Sequence, residues 1–345
     1  MESDNTKVHS DRESQLYFSS ESESSHPWLQ QHVLLASWIV DPRPSMDWDN
    51  TYQKTPSEEL DYQYSPSRWS KRMGADVIIA DHAQVIGIES EHAKRDVDCE
   101  LDIPYGTKPK QKLDIFGAKS LPPDAPVFIY IHGGYWQFLE REKSSFMATT
   151  VVKAGAIVIP VGYEYAPDAN MDEIVTQVKN AVTYVIKWAV QRGSRGVYIS
   201  GHSAGAHLAA MMLSVDWMTE CNLISDIVKG AILVSGVFDL RPIVYTYVND
   251  PLKMTSESAW NNSPCKHVEA IAHLSRHRNI LIAVGEYDSP SFIKQSEQFE
   301  KALDTRGLST RFLKIEGLDH FNMIENLRFE DSPLLKEVLM LLELI

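Results

Sequence analysis

The chain has 345 residues, of which 43% are apolar and 23% are charged, a composition typical of a globular protein with a large buried core. Its 47 acidic and 33 basic side chains give a formal net charge of -14, which disfavours binding to nucleic-acid phosphates or anionic membranes. The three cysteines, Cys99, Cys221 and Cys265, are far apart and form no CxxC pair, so we expect neither a disulfide framework nor a zinc site.

The N-terminal region differs in composition from the rest of the chain. Serine and acidic residues dominate the first 25 or so positions, and such segments cannot repay their ordering entropy. We therefore interpret residues 1–49 as a polar, largely disordered extension. Acidic residues stand at Glu2 and Asp4, where a signal peptide needs basic ones, and the apolar run 33–40 is far shorter than the roughly 20 residues of a membrane span. We expect a cytoplasmic protein, with the nucleus as a further option and no membrane partner.

From residue 111 onward, short apolar runs alternate with amphipathic stretches of helical length. This alternation is typical of a parallel sheet covered on both faces. The segment 171–190, for example, keeps an apolar face at three- and four-residue spacing. We predict one α/β domain over residues 50–345, with a mostly parallel central sheet and helices on both faces. The predicted strands are 111–116, 127–131, 156–160, 196–200, 230–234, 280–284 and 310–315.

The sequence GHSAG, at Gly201–Gly205, directly follows the predicted strand 196–200 and precedes a helical run. In a nucleophile elbow, a G-x-S-x-G serine sits on a strained strand-to-helix turn that exposes its Oγ above the sheet. The motif alone is common, but its position between a strand and a helix makes it specific. Ser203 is therefore the candidate nucleophile.

A second motif, HGGYW, follows the predicted strand 127–131. A pair of adjacent glycines often serves simply to make a tight turn, and that is one explanation here. Beside a nucleophilic serine, however, the backbone N–H groups of Gly133 or Gly134, together with that of Ala204, could bind the oxyanion that forms when a carbonyl is attacked. The two motifs together predict acyl-transfer chemistry.

A serine nucleophile needs a base, and in an elbow enzyme the acid and the histidine follow the serine in the chain. We favour His320. It follows a predicted loop, 316–319, that comes after the last strand, and it precedes a predicted terminal helix. His207 is expected to pack inside its helix, and His132 and His202 to hydrogen-bond nearby backbone. The remaining downstream histidines are expected at the surface: His267, His273 and His277.

Two aspartates compete for the role of orienting the histidine. Asp288 follows the predicted strand 280–284 and Asp239 follows the strand before it. Both leave the carboxyl edge of the sheet, where active-site loops gather. Asp288 is favoured and Asp239 stays an alternative. Glu286 and Asp319 are expected to be solvated loop acids.

These residues resemble the animal kynurenine formamidases, also called arylformamidases, which are α/β-hydrolases related to the hormone-sensitive-lipase-like esterases. GHSAG is shared by many esterases, whereas the other matching segments are more specific. They are SPSRW at 65–69, HGGYW at 132–136, VSGVFDL at 234–240, DSP at 288–290 and DHF at 319–321. Tyr135 occupies a position where lipase-like relatives usually have a third glycine, which argues against a generic lipase. The extension 1–49 lies outside the secure match.

The resemblance implies an α/β-hydrolase fold and hydrolysis of N-formyl-L-kynurenine to L-kynurenine and formate in tryptophan degradation. It implies a triad of Ser203, Asp288 and His320, an oxyanion loop at Gly133 and Gly134, and no metal or organic cofactor. A homodimer is one option for the assembly.

Aromatic residues near these motifs are candidate contacts for the kynurenine ring. They are Tyr135, Trp136, Phe238 and Phe321, with Trp69 and Tyr64 contributed by a lid within 50–110. Arg68 and Arg241 are candidates for binding the substrate carboxylate. Each of these aromatics could equally belong to the core.

Two other functions fit the same motifs. A broad carboxylesterase acting on small aryl esters would use the same triad, because the elbow fixes acyl transfer but not the acyl group. A non-catalytic scaffold on a hydrolase fold is the other alternative, since a fold does not prove activity. Such scaffolds usually lack the serine or the histidine, and both are present here.

Overall fold

The computed structural model of the chain describes Trp48 and residues 50–345. The predicted extension 1–49 therefore lies, apart from Trp48, outside the described residues. Trp48–Ile345 form one compact unit. Over this described part, no helix is long and apolar enough to cross a membrane.

The centre of this unit is an eight-stranded sheet with the strand order β1-β2-β4-β3-β5-β6-β7-β8. β1 pairs antiparallel with β2, and β2 with β4, while the other neighbours pair in parallel. The strands are β1 Cys99–Pro104, β2 Lys112–Phe116, β3 Val127–Ile131, β4 Ile157–Val161, β5 Val197–His202, β6 Val228–Val234, β7 Asn279–Tyr287 and β8 Ser309–Asp319.

Helices surround this sheet. Within the described residues they are α1 Ser57–Gln63, α2 Ala75–Asp96, α3 Ala148–Ala154, α4 Met171–Arg192, α5 Ala204–Met212, α6 Trp217–Cys221, α7 Asn249–Leu252, α8 Ser256–Asn261, α9 Val268–Leu274, α10 Pro290–Asp304, α11 Asn322–Glu325 and α12 Pro333–Leu341. Short 3₁₀ helices cover Thr51–Lys54, Pro66–Arg68, Arg141–Lys143, Pro242–Tyr245, Pro264–His267 and Asn326–Arg328.

The central strands are buried at every position, which requires cover on both faces of the sheet. Successive side chains of a strand point to opposite faces. On one face, alternate strand residues such as Phe128 and Tyr130 pack with side chains of α2, α3 and α12, among them Ile86, Val151 and Leu335. On the other face, α5 contacts β5 and β6, and α10 contacts β7 and β8.

The predicted α/β architecture is confirmed, and each of the seven predicted strands overlaps an observed one. β1 was not predicted, because this edge strand is mostly exposed and has charged residues instead of an apolar run. A second difference concerns 316–319, which was expected to be a loop. These residues extend β8, and Asp319 pairs with Tyr287 of β7 after a register shift.

The segment 50–110 contains α1, α2 and β1. Its first α-helix, α1, contacts segments at the carboxyl edge of the sheet. Asp61 accepts a hydrogen bond from the N–H of Tyr247, and Gln63 accepts one from Ser291. Helix α1 therefore contacts the segment between β6 and β7 and the first turn of α10, which follows β7.

The amphipathic helix α4 begins at a capping box. The Asn170 side chain accepts from the N–H of Glu173, and the Glu173 carboxylate accepts from the N–H of Asn170. These two bonds satisfy backbone donors that a helix N-terminus leaves without partners.

We predict that Asn170→Ala lowers the free energy of unfolding by about 1 kcal/mol, because the cap is lost. Urea unfolding followed by circular dichroism measures this change. Thr176→Ala on the same helix is the control. It removes only a hydroxyl that donates to the backbone carbonyl of Asp172, a bond that adds little to helix stability. Equal stabilities of the Asn170→Ala variant and the wild type would contradict the prediction.

Candidate active site

Ser203 lies between the end of β5 and the start of α5, with φ 56° and ψ -120°. This positive φ is uncommon for a residue with a side chain and indicates a strained turn. The turn brings α5 very close to the sheet. A Cβ at Gly205 would lie 1.9 Å from the Ile131 carbonyl oxygen, and one at Gly201 would lie 2.2 Å from the Gly205 oxygen. Only glycine fits at these positions, as a nucleophile elbow requires.

The glycine pair after β3 lies directly against the elbow. A Cβ at Gly133 would come within 3.1 Å of the Ser203 Cβ and 2.9 Å of the His202 carbonyl oxygen. Gly134 has φ +96°, which side chains rarely adopt. Ala204 is the first residue of α5, so its N–H belongs to the unpaired donors of a helix N-terminus. The loop and the helix end thus meet at the serine.

His320 follows β8 and contacts Asp288, which follows β7. The distance from His320 Nδ1 to Asp288 Oδ1 is 2.7 Å, and both side chains are buried. A carboxylate can only accept here, so Nδ1 carries the proton and Nε2 keeps the lone pair of a base. This is the acid–histidine pairing that a serine hydrolase uses.

The competing aspartate has a different partner. Asp239 pairs with the guanidinium of Arg241, whose Nη2 lies 2.7 Å from Asp239 Oδ2. Arg241 also stacks over the ring of Trp260. The structure therefore brings Asp288, and not Asp239, against His320.

Ser235 is a site residue that the sequence analysis missed. Its Oγ lies 2.6 Å from Asp288 Oδ2, and the N–H of Gly285 approaches the same oxygen at 3.3 Å. These donors hold the carboxylate in the orientation in which Oδ1 meets His320. The available signal was the Ser-Gly pair at the end of β6, the strand between those that precede Ser203 and Asp288.

Both motif histidines hydrogen-bond to backbone, and His132 does so locally, as predicted, whereas the partner of His202 is distant in the chain. His202 Nε2 donates to the His320 carbonyl oxygen at 2.8 Å, and His132 Nδ1 to that of Gly133 at 2.9 Å. His207 Nε2 donates to the Asn262 carbonyl oxygen. Burial lowers the pKa of His132 and of His207 to about 4 and places the pKa of His202 well below its ordinary value. These histidines are therefore neutral at physiological pH.

Two of the candidate substrate contacts are fully buried among protein groups. Trp136 donates from Nε1 to His207 Nδ1 at 3.2 Å. Phe238 stacks in parallel on Phe299 of α10, with ring centroids 4.4 Å apart. These placements argue against substrate contact by Trp136 or Phe238, because their surfaces already pack in the core.

Of the other candidate aromatics, Tyr64 is buried beside Phe292, Phe321 adjoins His320, and Tyr135 and Trp69 are half-buried. Phe321 contacts the His320 ring edge-on at 5.5 Å, and Tyr135 donates from its hydroxyl to the carbonyl oxygen of Tyr64 at 2.7 Å. Trp69 is half-buried, with its ring 4.8 Å from that of Tyr62. Tyr135 and Phe321 thus stay candidates for the rim of the site, together with Trp69.

Neither arginine suggested for the substrate carboxylate is placed at the triad by an observed contact. Arg68 is exposed and lies over the ring of Tyr62. Arg241 is engaged by Asp239 and by Asn50.

The surface predictions for the remaining groups hold in part. His273, His277 and Glu286 are exposed, and His267 is half-buried. The expectation for Asp319 was wrong, because its side chain is only 1% exposed. Its carboxylate is bound by Arg72 at 2.9 Å and by Ser70 at 2.6 Å. No local pattern indicates this burial, because both donors lie almost 250 positions away.

Comparison with known proteins agrees with this geometry. The family model BD-FAE matches residues 113–303, more than half of the chain. A kynurenine formamidase of Danio rerio is 46% identical over 282 residues, which cover 82% of this chain and 95% of the relative. The chain belongs to the kynurenine formamidase family. A family member from Salmo salar is also 46% identical, over 78% of this chain and 91% of its own length.

The fold comparison points to the same group of hydrolases. A provisionally named thioesterase from Silicibacter sp. TM1040 superposes with a TM-score of 0.66 at 26% identity, over 81% of this chain and 98% of that one. This kynurenine formamidase family member therefore has the α/β-hydrolase fold.

The two aspartates can be separated by mutation. We predict that Asp288→Asn lowers the rate of hydrolysis of an activated aryl ester by about 10⁴-fold, because an amide no longer fixes the reactive tautomer of His320. The matched variant Asp239→Asn should retain activity within a few-fold, because it disrupts only the pair with Arg241. A greater loss in Asp239→Asn than in Asp288→Asn would contradict the assignment.

Because His132 and His207 are buried and neutral, we predict that the free energy of unfolding depends on pH. The ordinary pKa of histidine is near 6.5, so the unfolded chain gains protons between pH 7 and pH 5 that folded His132 and His207 do not bind. We expect the free energy of unfolding to fall over this interval by about 2 kcal/mol for each of these histidines. Urea unfolding at the two pH values measures the fall.

The contribution of one histidine can be isolated. His207→Asn cannot titrate, and its Oδ1 can replace Nδ1 as the acceptor for Trp136. The fall between pH 7 and pH 5 should therefore shrink by about 2 kcal/mol, whereas His277→Asn, at an exposed position, should leave it unchanged. An unchanged fall in His207→Asn would show that this prediction is wrong.

Proposed function

We propose that this chain hydrolyses N-formyl-L-kynurenine to L-kynurenine and formate, a step of tryptophan degradation. One observation carries the proposal: 46% identity to a kynurenine formamidase over 95% of that relative's length. The geometry of the elbow and of the Asp288–His320 pair supports a serine-hydrolase mechanism.

In the proposed reaction, Ser203 Oγ attacks the formyl carbon while His320 Nε2 accepts the hydroxyl proton. The resulting oxyanion accepts hydrogen bonds from Ala204 and from Gly133 or Gly134. His320 then gives the proton to the departing aryl amine, the C–N bond breaks, and L-kynurenine leaves. The formyl group stays on Ser203 as an ester.

Water completes the cycle. His320 removes a proton from the water as it attacks the formyl ester, and returns that proton to Ser203 Oγ as formic acid leaves and ionises to formate. Asp288, held by Ser235, keeps His320 in the reactive tautomer and stabilises its positive charge when it is protonated. The proposed steps use these side chains and water, without a cofactor or metal ion.

Further parts of the proposal concern the surroundings of the site. Tyr135, Phe321 and Trp69 are proposed to contact the aromatic ring of the substrate, with Trp69 supplied by the segment 50–110. We propose a cytoplasmic enzyme, with a nuclear fraction as an option, in keeping with the acidic charge and unpaired cysteines. The proposal includes no nucleic-acid or membrane partner. A homodimer is also proposed, and sedimentation equilibrium tests it.

The test of function is hydrolysis of N-formyl-L-kynurenine by the full chain, followed by the absorbance of kynurenine. We expect turnover that falls by at least about 10⁴-fold in Ser203→Ala, because the nucleophile is lost. A fluorophosphonate probe should label Ser203 in the wild type only.

The acyl group distinguishes a formamidase from a broad carboxylesterase. Formyl and acetyl anilides of the same amine, compared by kcat/KM, should differ by orders of magnitude in favour of formyl. Comparable rates on acetyl and butyryl esters, with no turnover of N-formyl-L-kynurenine, would contradict the formamidase proposal. A folded chain that neither turns over substrate nor reacts with the probe would instead support a scaffold.

A further inference from the structure

An ionic network of two buried carboxylates, a buried histidine and a partly exposed arginine lies beside the turn that carries His320. Its members are Arg72, His82, Asp319 and Glu325, and we call it the Asp319 network. It joins residues around the start of α2 to the end of β8 and to α11, segments about 250 positions apart in the chain. None of its members belongs to the proposed triad.

Asp319 shapes the backbone on both sides of His320. Its Oδ1 accepts from the N–H of Phe321 at 3.0 Å and from the N–H of Asn322 at 2.9 Å. Its own N–H donates to Asn322 Oδ1 at 2.6 Å. The carboxylate therefore closes a turn whose second residue is His320, and a change in its position moves the histidine main chain.

Arg72 holds this carboxylate with the two-point geometry that a guanidinium favours. Its Nε lies 2.9 Å from Asp319 Oδ2 and its Nη2 lies 3.1 Å from Oδ1. Its Nη1 binds Glu325 Oε2 at 3.1 Å. Ser70 donates a further bond to Asp319 Oδ2. One arginine thus connects the turn that contains His320 to the helix that follows it.

His82 forms the second arm of the network. Its Nδ1 donates to Glu325 Oε1 at 2.8 Å, and its ring lies 5.2 Å from that of Phe321 and 6.3 Å from that of His202. His202 in turn donates to the carbonyl oxygen of His320. The main chain of His320 is therefore fixed from the elbow and from the Asp319 network together.

The ionisation of the network agrees with this arrangement. Burial alone would raise the pKa of Asp319, but hydrogen bonds from Arg72 and Ser70 and the charge of Arg72 lower it below its ordinary value. Glu325 behaves likewise, with burial opposed by the hydrogen bond from His82 and the charge of Arg72. Both carboxylates are therefore charged at neutral pH, and their bonds to Arg72 are charge-assisted.

We propose that the Asp319 network positions His320, so that Arg72 and Asp319 act on the reaction by fixing the main-chain turn from which the base projects. The inference relies on the proposed function only in taking His320 as the base for Ser203. A buried ion pair is weak evidence for stability, because desolvation offsets much of its attraction, and specifying one geometry is the better-supported role of such groups. Small displacements of a catalytic group lower rates steeply.

The experiment compares Arg72→Ala and Asp319→Asn with the wild type. Asp319→Asn keeps an acceptor for the turn but loses the charge that binds Arg72. We expect kcat, and the rate at which a fluorophosphonate labels Ser203, to fall about 10- to 100-fold while KM stays within twofold. Probe labelling requires an activated serine but not the formyl substrate.

Two comparisons separate positioning from general destabilisation. Arg311→Ala is the matched control, because Arg311 lies on the same strand, β8, and pairs with Glu337 at 2.7 Å near the strand's other end. It should leave kcat and labelling unchanged. Arg72 is 30% exposed, so added guanidinium ion, far below denaturing concentration, should restore part of the kcat of Arg72→Ala and none of that of Asp319→Asn.

The proposal is overturned if folded Arg72→Ala and Asp319→Asn label and turn over within twofold of the wild type, or if Arg311→Ala loses as much. If Arg72→Ala does not fold, the deciding variant is Ser70→Ala, which removes one donor to Asp319. Unchanged probe labelling of this variant counts against the proposal, and labelling that is several-fold slower supports it. A wild type that labels rapidly but does not hydrolyse N-formyl-L-kynurenine would refute the proposed substrate and leave this comparison valid.

Discussion

The close approach of α5 to the sheet is the constraint on which the site depends. The Gly205 backbone lies against the carbonyl of Ile131 with no room for a Cβ, and Ser203, two residues earlier in the same turn, has a positive φ. Such strain persists only where the surrounding structure fixes it. Here the fixing elements are the parallel pairs of β5 with β3 and β6, both buried at nearly every position. The apolar core thus holds the serine in an otherwise unfavourable conformation.

The same sheet also sets the spacing of the proposed acid and base, because the residues of the candidate site follow neighbouring strands. β5, β6, β7 and β8 are neighbours, so Ser203, Ser235 and Asp288 leave successive carboxyl ends of parallel strands. Two buried aspartates with different partners lie at the carboxyl ends of the last two strands, β7 and β8. Asp288 contacts the His320 side chain, whereas Asp319 contacts the backbone after it. Side-chain orientation and main-chain position of the histidine are therefore controlled by separate carboxylates.

Local patterns predicted most of the fold and the residues of the candidate triad, because elbows, glycine loops and apolar strands are encoded by adjacent residues. The parts that could not be predicted depend on distant segments or lack an apolar signal. β1 has exposed, charged positions, and the burial of Asp319 depends on Arg72. Trp136 illustrates a third limit, since an aromatic beside a catalytic loop can belong either to the core or to the site until its contacts are known.

The loop after β3, proposed to bind the oxyanion, carries two large side chains in a conformation that favours glycine. Tyr135 has φ 51° and Trp136 has φ 59°, both in the left-handed region. Each such residue costs about 1–3 kcal/mol. Each is also anchored at its far end, Tyr135 by the carbonyl of Tyr64 and Trp136 by His207 inside α5. Because Tyr64 belongs to the segment before the sheet and His207 to the helix after the nucleophile, the loop is fastened to both. The strained conformation of the loop is therefore held by tertiary contacts at both residues.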